Sequence, residues 1–243
     1  MIRAEREGIA AGLQESATLF SHYGVDVRQQ VRDGSPVKNG EILLSLFGPA
    51  KKILLVERVA LNIIGRMSGI ATETKKMNDL VQAENPCCRV AGTRKTCPGL
   101  RTLDKKAVAL GGGDPHRSGL SDGILIKDNH LALVPVEEAI RRAKAASSYR
   151  KIEIEAESGE DALAAAKAGA DIILLDNMTP ASIRDTIRML EQEGLRDQVT
   201  IELSGGITER TIREYACTGA DLISIGALTH SVTNFSVTLE ILE

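Results

Sequence analysis

From about residue 88 onward the hydrophobic pattern is regular. Short runs of β-branched and aliphatic residues alternate with longer stretches whose apolar positions recur at three- and four-residue spacing. The runs Cys88–Ala91, Gly123–Ile126, Lys151–Glu155, Asp171–Leu175, Val199–Leu203 and Asp221–Ile225 read as strands. Val136–Ala146, Glu160–Ala168, Pro180–Glu193 and Glu209–Thr218 read as amphipathic helices. Near-continuously apolar strands joined by helices imply a parallel sheet covered by helices. The segment Ala168-Gly169-Ala170-Asp171-Ile172-Ile173 returns as Thr218-Gly219-Ala220-Asp221-Leu222-Ile223 fifty residues later. That period suits βα units of a barrel better than a two-sided dinucleotide-binding sheet. No Gly-x-Gly-x-x-Gly follows the first strand, and Gly111-Gly112-Gly113 follows a helical stretch and makes no Walker loop.

The first seventy residues have a different texture. Gly8–Phe20 reads as a helix-like stretch, Val25–Arg28 and Glu41–Leu46 as short strands. Asp33-Gly34 and Asn39-Gly40 between them are tight-turn signals. The layer shares its turn pattern with lipoyl-type hairpins but has no Met-Lys-Met tip, which argues against a swinging-arm carrier. Ile53, Val56, Ala60, Ile63 and Ile64 fall at helical spacing and predict a long helix over Ala50–Gly65.

Composition narrows the class. A chain of 243 residues, 43% hydrophobic and 26% charged, suits one or two ordinary globular domains. Apolar runs such as Ile53–Val56 are too short to span a bilayer, and no charged-then-apolar leader opens the chain. The expectation is therefore a cytoplasmic protein with no membrane partner. A net charge of −3, with three Phe, three Tyr and no Trp, argues against a nucleic-acid partner. Cys87, Cys88, Cys97 and Cys217 form no Cys-x-x-Cys pair and read as free thiols in a reducing compartment.

In a βα barrel the chemistry lies at the C-terminal strand ends. Those ends are Thr93-Arg94-Lys95, Lys127-Asp128-Asn129-His130, Glu155, Asp176-Asn177, Ser204-Gly205-Gly206 and Gly226-Ala227. All are polar or glycine-rich, whereas the strand bodies read as apolar. Residues 89–130 hold Arg89, Arg94, Lys95, Arg101, Lys105, Lys106, Arg117 and Lys127 against Asp104, Asp114, Asp122 and Asp128. Cations converging on one mouth repel each other unless an anion fills it, so a small, multiply anionic substrate is expected. A solvated helix face accounts for Lys105 and Lys106, but poorly for Arg94, Lys95 and Lys127. Glu155 and Asp176 suit Mg2+ or sugar hydroxyls; the plainer reading is buried acids satisfied by neighbouring cations. The glycines of Ser204-Gly205-Gly206 and Gly226-Ala227 suit phosphate binding by backbone N–H groups. His22 reads as structural or exposed. His116 and His230 are candidate anion ligands, and no His-x-His or His-Glu-x-x-His spacing suggests zinc.

Longer motifs carry a resemblance. Gly92-Thr93-Arg94-Lys95-Thr96-Cys97-Pro98-Gly99-Leu100-Arg101, Gly111–Leu120 and Ile126-Lys127-Asp128-Asn129-His130 resemble the quinolinate phosphoribosyltransferase family. So do Glu57–Asn62, Ser68–Thr72, Leu175–Met178 and Gly226–Ser231, and the likeness covers nearly the whole chain. The resemblance implies an α/β fold. An N-terminal α/β-sandwich (barrel-sandwich-like) domain would cover 1–70 with a C-terminal return over 233–243, and an open TIM-like α/β barrel 71–232. It implies transfer of phosphoribosyl from phosphoribosyl pyrophosphate to quinolinate with Mg2+, giving nicotinate mononucleotide, pyrophosphate and CO2. It also implies a homodimer or a multiple of dimers.

By the same resemblance Arg94, His116, Arg117 and Lys127 bind the quinolinate carboxylates, with Arg58 supplied across the dimer. Thr93 joins the substrate-binding set. Lys95 contacts the phosphoribosyl donor, and Glu155 and Asp176 hold its ribose hydroxyls and Mg2+. Ser204, Gly205, Gly206, Gly226, Ala227 and His230 cradle the 5′-phosphate. Lys95, Lys127, Glu155 and Asp176 are the expected catalytic set. The chain enters the family pattern near Gly8–Gly12, some tens of residues later than usual, which bears on stability and dimer geometry. Cys97 stands where the family mostly has Thr. Three rivals are a molybdenum-associated paralogue with another nitrogen base as acceptor, a Schiff-base aldolase using Lys127, and a non-catalytic metabolite-binding barrel. The Ile126–His130 block favours quinolinate over the paralogue, and Lys127 lacks an evident proton-relay partner for the aldolase.

Overall fold

The structure is a computed structural model that describes residues 1–241. Leu242 and Glu243, the end of the expected return segment, lie outside the described residues. The chain divides into two compact units. One holds Met1–Lys76, Lys95–Pro115 and residues from Gly226 onward; the other holds Met77–Arg94 and His116–Ile225.

The chain enters the first unit through β1 (Ile2–Ala4), β2 (Gly8–Ile9), α1 (Leu13–His22), β3 (Asp26–Gln29), β4 (Pro36–Val37) and β5 (Ile42–Phe47). Then comes α2 (Ala50–Glu84), a 35-residue helix that ends in the second unit. The helix expected from Gly8 begins instead at Leu13, because Gly8–Ile9 pairs with Pro36–Val37 as an antiparallel ribbon. Gly12 at the helix start offers no side-chain cap. Asp33 of the Asp-Gly turn replaces it, its carboxylate accepting from the N–H groups of Leu13 at 2.9 Å and Gln14 at 3.3 Å. Leu13, Phe20, Leu43, Leu44, Val56 and Ile64 pack as one apolar core in this unit.

In the second unit the chain forms β6 (Arg89–Gly92); after it α3 (Arg101–Leu110) belongs to the first unit. β7 (Ile124–Ile126), α4 (Asp128–Leu131), α5 (Val136–Ala146), β8 (Ile152–Ala156), α6 (Gly159–Ala168) and β9 (Ile172–Asp176) follow. α7 (Pro180–Gln192), β10 (Thr200–Ser204), α8 (Ile212–Ala216) and β11 (Leu222–Ile225) complete the unit. The chain closes in the first unit with α9 (Ala227–His230) and β12 (Val237–Leu239). There β12 pairs with β1 and completes a four-stranded sheet of order β12-β1-β5-β3. The returning segment crosses α2 at its glycines: a Cβ on Gly69 would lie 2.3 Å from the Thr233 carbonyl oxygen.

The six strands of the second unit pair in the order β6-β11-β10-β9-β8-β7, all parallel. The order runs in one direction without the reversal of a doubly wound sheet. Its first strand joins its last, and among the described residues no ladder links β6 to β7; this is an α/β barrel left open at that seam. The fifty-residue echo has a structural meaning. Asp171 and Asp221 each precede a strand and accept, at 2.7 Å, the N–H of the strand before it, Ile152 and Ile201 respectively. Gly169 and Gly219 adopt φ +85° and +94°, a left-handed turn that glycine makes without strain. Helices α6 and α7 are capped by Ser158 and Thr179, whose hydroxyls accept from Asp161 and Ser182.

Candidate active site

Parallel pairing brings the strand ends of the second unit side by side. Ser204 lies in register with Asp176, and Glu155 with Leu174. Lys127 follows β7 and is exposed, its Nζ 2.8 Å from the Glu155 carboxylate. Asp176 accepts from the Asn177 amide at 2.6 Å, and the Asn177 N–H reaches the Ser204 carbonyl at 2.9 Å. Asn177 holds φ +54° and Gly205 φ +104°. A Cβ on Gly205 would sit 2.3 Å from Asn177 Oδ1, so this turn requires glycine there. Thr93 and Arg94 leave β6 half-buried, and the Arg94 Nε is buried with no hydrogen-bond partner among the described residues. A buried donor of that kind asks for an acceptor. Arg117 is half-buried beside His116, and Gly206 is exposed with φ +61°.

The first unit places a second group. The ring of His230 lies 3.1 Å and Lys95 Cδ 3.3 Å from the Cβ position of Gly226, so these three residues converge. Ala227 is exposed at the start of α9. The Thr229 hydroxyl donates to the Lys95 carbonyl at 2.9 Å. Arg66 donates at 3.0 Å to the Thr229 carbonyl and binds both oxygens of Asp104 at 2.8 Å. The Asp104 carboxylate raises the Arg66 pKa further above its ordinary value. Asp104 also accepts weakly from the Cys97 N–H at 3.4 Å. Arg58 is exposed on α2 beside the exposed Leu54, Leu55 and Val59.

Three sequence expectations need correction. Strand bodies are not uniformly apolar: Glu153 and Glu202 are 5% and 2% exposed inside β8 and β10. Glu202 accepts from the Ser224 hydroxyl and faces His116 Nε2 at 3.2 Å, with Glu153 3.9 Å from the same nitrogen. Burial, then the Glu202 charge, push Glu153 up to about 7 against the opposing pull of His116, Arg117 and Lys127. Lys105 is not on a solvated face; it is buried and its ammonium donates to the Pro115 carbonyl. Lys106, partly exposed as expected, pairs with Glu15 at 2.6 Å. His130, expected at a strand end, sits in α4, where its Nδ1 accepts from the Lys127 N–H at 3.0 Å.

Residues missed from sequence are Arg66, Asp104, Glu153, Glu202 and Ser224. For the two glutamates the signal was present: each stands between two aliphatic residues inside a buried strand. Arg66 and Asp104 carry no local signal, since both sit on helices where charge is ordinary.

An open α/β barrel whose strand ends carry cations, two carboxylates and a glycine turn defines an enzyme acting on small, multiply anionic substrates. Sequence comparison makes it particular. The N-terminal domain of quinolinate phosphoribosyl transferase matches residues 1–68 and its C-terminal domain residues 70–240. The chain belongs to this family. A protein of Methanothermobacter thermautotrophicus named as a probable carboxylating nicotinate-nucleotide pyrophosphorylase is 46% identical over 242 residues, 99% of this chain and 87% of that protein. One of Archaeoglobus fulgidus, named likewise, is 42% identical over 243 residues, 100% of this chain and 94% of its own. The crystal structure of NadC from Streptococcus pyogenes superimposes with TM-score 0.91 at 36% identity, covering 98% of this chain and 84% of that one.

Proposed function

We infer that this protein transfers the phosphoribosyl group of phosphoribosyl pyrophosphate to quinolinate and releases CO2, making nicotinate mononucleotide for NAD biosynthesis. The observation that carries this reading is the match to both family domains over residues 1–68 and 70–240. Relatives named as carboxylating pyrophosphorylases weigh against the paralogue with another acceptor base.

Roles follow the chemistry of each group. Arg94, His116, Arg117 and Lys127 bind the two quinolinate carboxylates, with Thr93 beside them; the buried Arg94 Nε, without an acceptor among the described residues, supports this. Lys95 contacts the donor's pyrophosphate. Ser204, Gly205, Gly206, Gly226, Ala227 and His230 take the 5′-phosphate on backbone N–H groups and a cationic or neutral imidazole. Glu155 and Asp176 offer hard oxygen donors on neighbouring strands, which suits Mg2+ and ribose hydroxyls. When bound, Mg2+ neutralises charge on the leaving pyrophosphate.

The quinolinate nitrogen attacks the anomeric carbon as the bond to pyrophosphate breaks. Glu155 and Asp176 stabilise the positive charge that develops on the ribose. The pyridinium then draws the electron pair of the adjacent carboxylate bond into the ring, CO2 departs and the ring carbon takes a proton. The enzyme contributes orientation and charge rather than a covalent intermediate.

The protein works in the cytoplasm as a homodimer or a multiple of dimers, with Arg58 entering the neighbouring subunit's site. Leu54, Leu55 and Val59, 53%, 67% and 53% exposed around Arg58, support an interface on this face of α2. The test mixes protein, quinolinate, phosphoribosyl pyrophosphate and Mg2+ and follows nicotinate mononucleotide and CO2 together. Both products should form, and EDTA should abolish both. No product from a folded dimer would sink the reading in favour of the paralogue; full activity in EDTA would sink the role of Mg2+.

A further inference from the structure

His116 lies in the left-handed region at φ +55°, a conformation that costs a non-glycine residue energy unless its surroundings hold it. What surrounds the ring is specific. Glu202 Oε2 is 3.2 Å from Nε2, at hydrogen-bonding distance, whereas Glu153 is 3.9 Å away. The other oxygen of Glu202 accepts from the Ser224 hydroxyl. Strand register makes that contact: Glu202 is opposite Leu222 on β11, and Ser224, two residues on, projects from the same face. An ionised carboxylate can only accept, so Glu202 in that form favours the ring state with a proton on Nε2. The arrangement is that of a metal-site histidine held by a carboxylate behind it, with the ring turned to a different task.

We propose that Glu202, itself held by Ser224, is the positioning residue for His116: it fixes the ring and its Nε2 proton so that the imidazole meets a quinolinate carboxylate in one orientation. The proposal rests on the assignment of His116 to quinolinate binding. The other charged groups acting on this cluster are Glu153, on β8, and Arg117 and Lys127, which bear on Glu153. Glu202 is only 2% exposed, so on this proposal its effect passes through His116.

A double-mutant cycle tests this in the full chain, with KM measured for each substrate. His116→Ala should raise the quinolinate KM about tenfold or more, leaving the phosphoribosyl pyrophosphate KM within about twofold. Glu202→Gln should raise the quinolinate KM about tenfold, again selectively. Combined with His116→Ala, it should add nothing. Additive losses, or equal losses for both substrates, would mean that Glu202 serves the fold alone and would overturn the proposal. A normal quinolinate KM in His116→Ala would overturn the assignment of His116 and the proposal with it. A normal value in Glu202→Gln, with His116→Ala impaired, would overturn the proposal alone. If Glu202→Gln does not fold, Ser224→Ala takes its place in the cycle. Its expected loss is about threefold, vanishing in the His116→Ala background; persistence there counts against the proposal.

Discussion

Two buried charge groups in this protein are built on opposite plans. In the first unit Arg66 and Asp104 meet through two parallel bonds of 2.8 Å, and Arg66 passes a third to the Thr229 carbonyl. One positive and one negative charge cancel, and both carboxylate oxygens have a nearby donor. In the second unit two carboxylates, Glu153 and Glu202, face one imidazole; with all three ionised the acids outnumber the cation, and Glu153 is pushed up to about 7. A closed pair of that first kind is architecture: it holds the backbone of Lys95 and Cys97 through Thr229 and Asp104. An unbalanced cluster keeps an unfinished electrostatic demand, as sites do.

Breaking the closed pair should produce the largest loss. Asp104→Ala leaves a half-buried arginine without its partner and should cost about 2–3 kcal/mol, read as a fall in the urea midpoint. A midpoint unchanged within error would show that the pair is dispensable. The open group should respond in kinetics rather than in stability. Arg117→Ala should raise the quinolinate KM by about 10- to 100-fold, the worth of a charge-assisted hydrogen bond, with donor KM nearly unchanged. Equal losses for both substrates would refute that assignment. Asp176→Ala should show the mirror pattern, a raised KM for phosphoribosyl pyrophosphate with quinolinate little affected; unchanged donor kinetics would count against it.

A smaller effect belongs to the repeated turns. Asp171→Ala removes the acceptor of the Ile152 N–H and should cost about 1–2 kcal/mol of stability, with both KM values unaltered. A kinetic defect there would blur the distinction between architecture and site. The smallest perturbation is chemical labelling. Burial pushes the Cys88 thiol up to about 12, so it stays protonated at pH 8 and inaccessible. Iodoacetamide should modify the exposed Cys87 and Cys217 in the native protein and reach Cys88 after unfolding. Native modification of Cys88 would show that β6 opens readily.

Among the described residues no helix is long and apolar enough to cross a membrane. Short, near-continuous aliphatic runs set between stretches of helical period sufficed to locate every strand of the parallel sheet within a residue or so. They did so because each of those elements buries most of a continuous apolar face, and burial leaves its period in the sequence. Local chemistry was equally legible at the strand ends, where Arg94, Lys127, Glu155, Asp176 and Gly205 stand out against aliphatic neighbours. The helix α2 runs on to Glu84, past the Gly65 at which the predicted helix ends, and the returning segment at Thr233 and Phe235 packs against Gly65 and Gly69, where a side chain would collide. Tertiary structure alone decided what charge does once buried. Glu202 and Glu153 lie on strands separated in the sheet by β9, and meet His116 across the barrel interior. Arg66 finds Asp104 from a different helix. Such partners are chosen by distance in space, and an ion pair between residues far apart in the chain leaves no period to read.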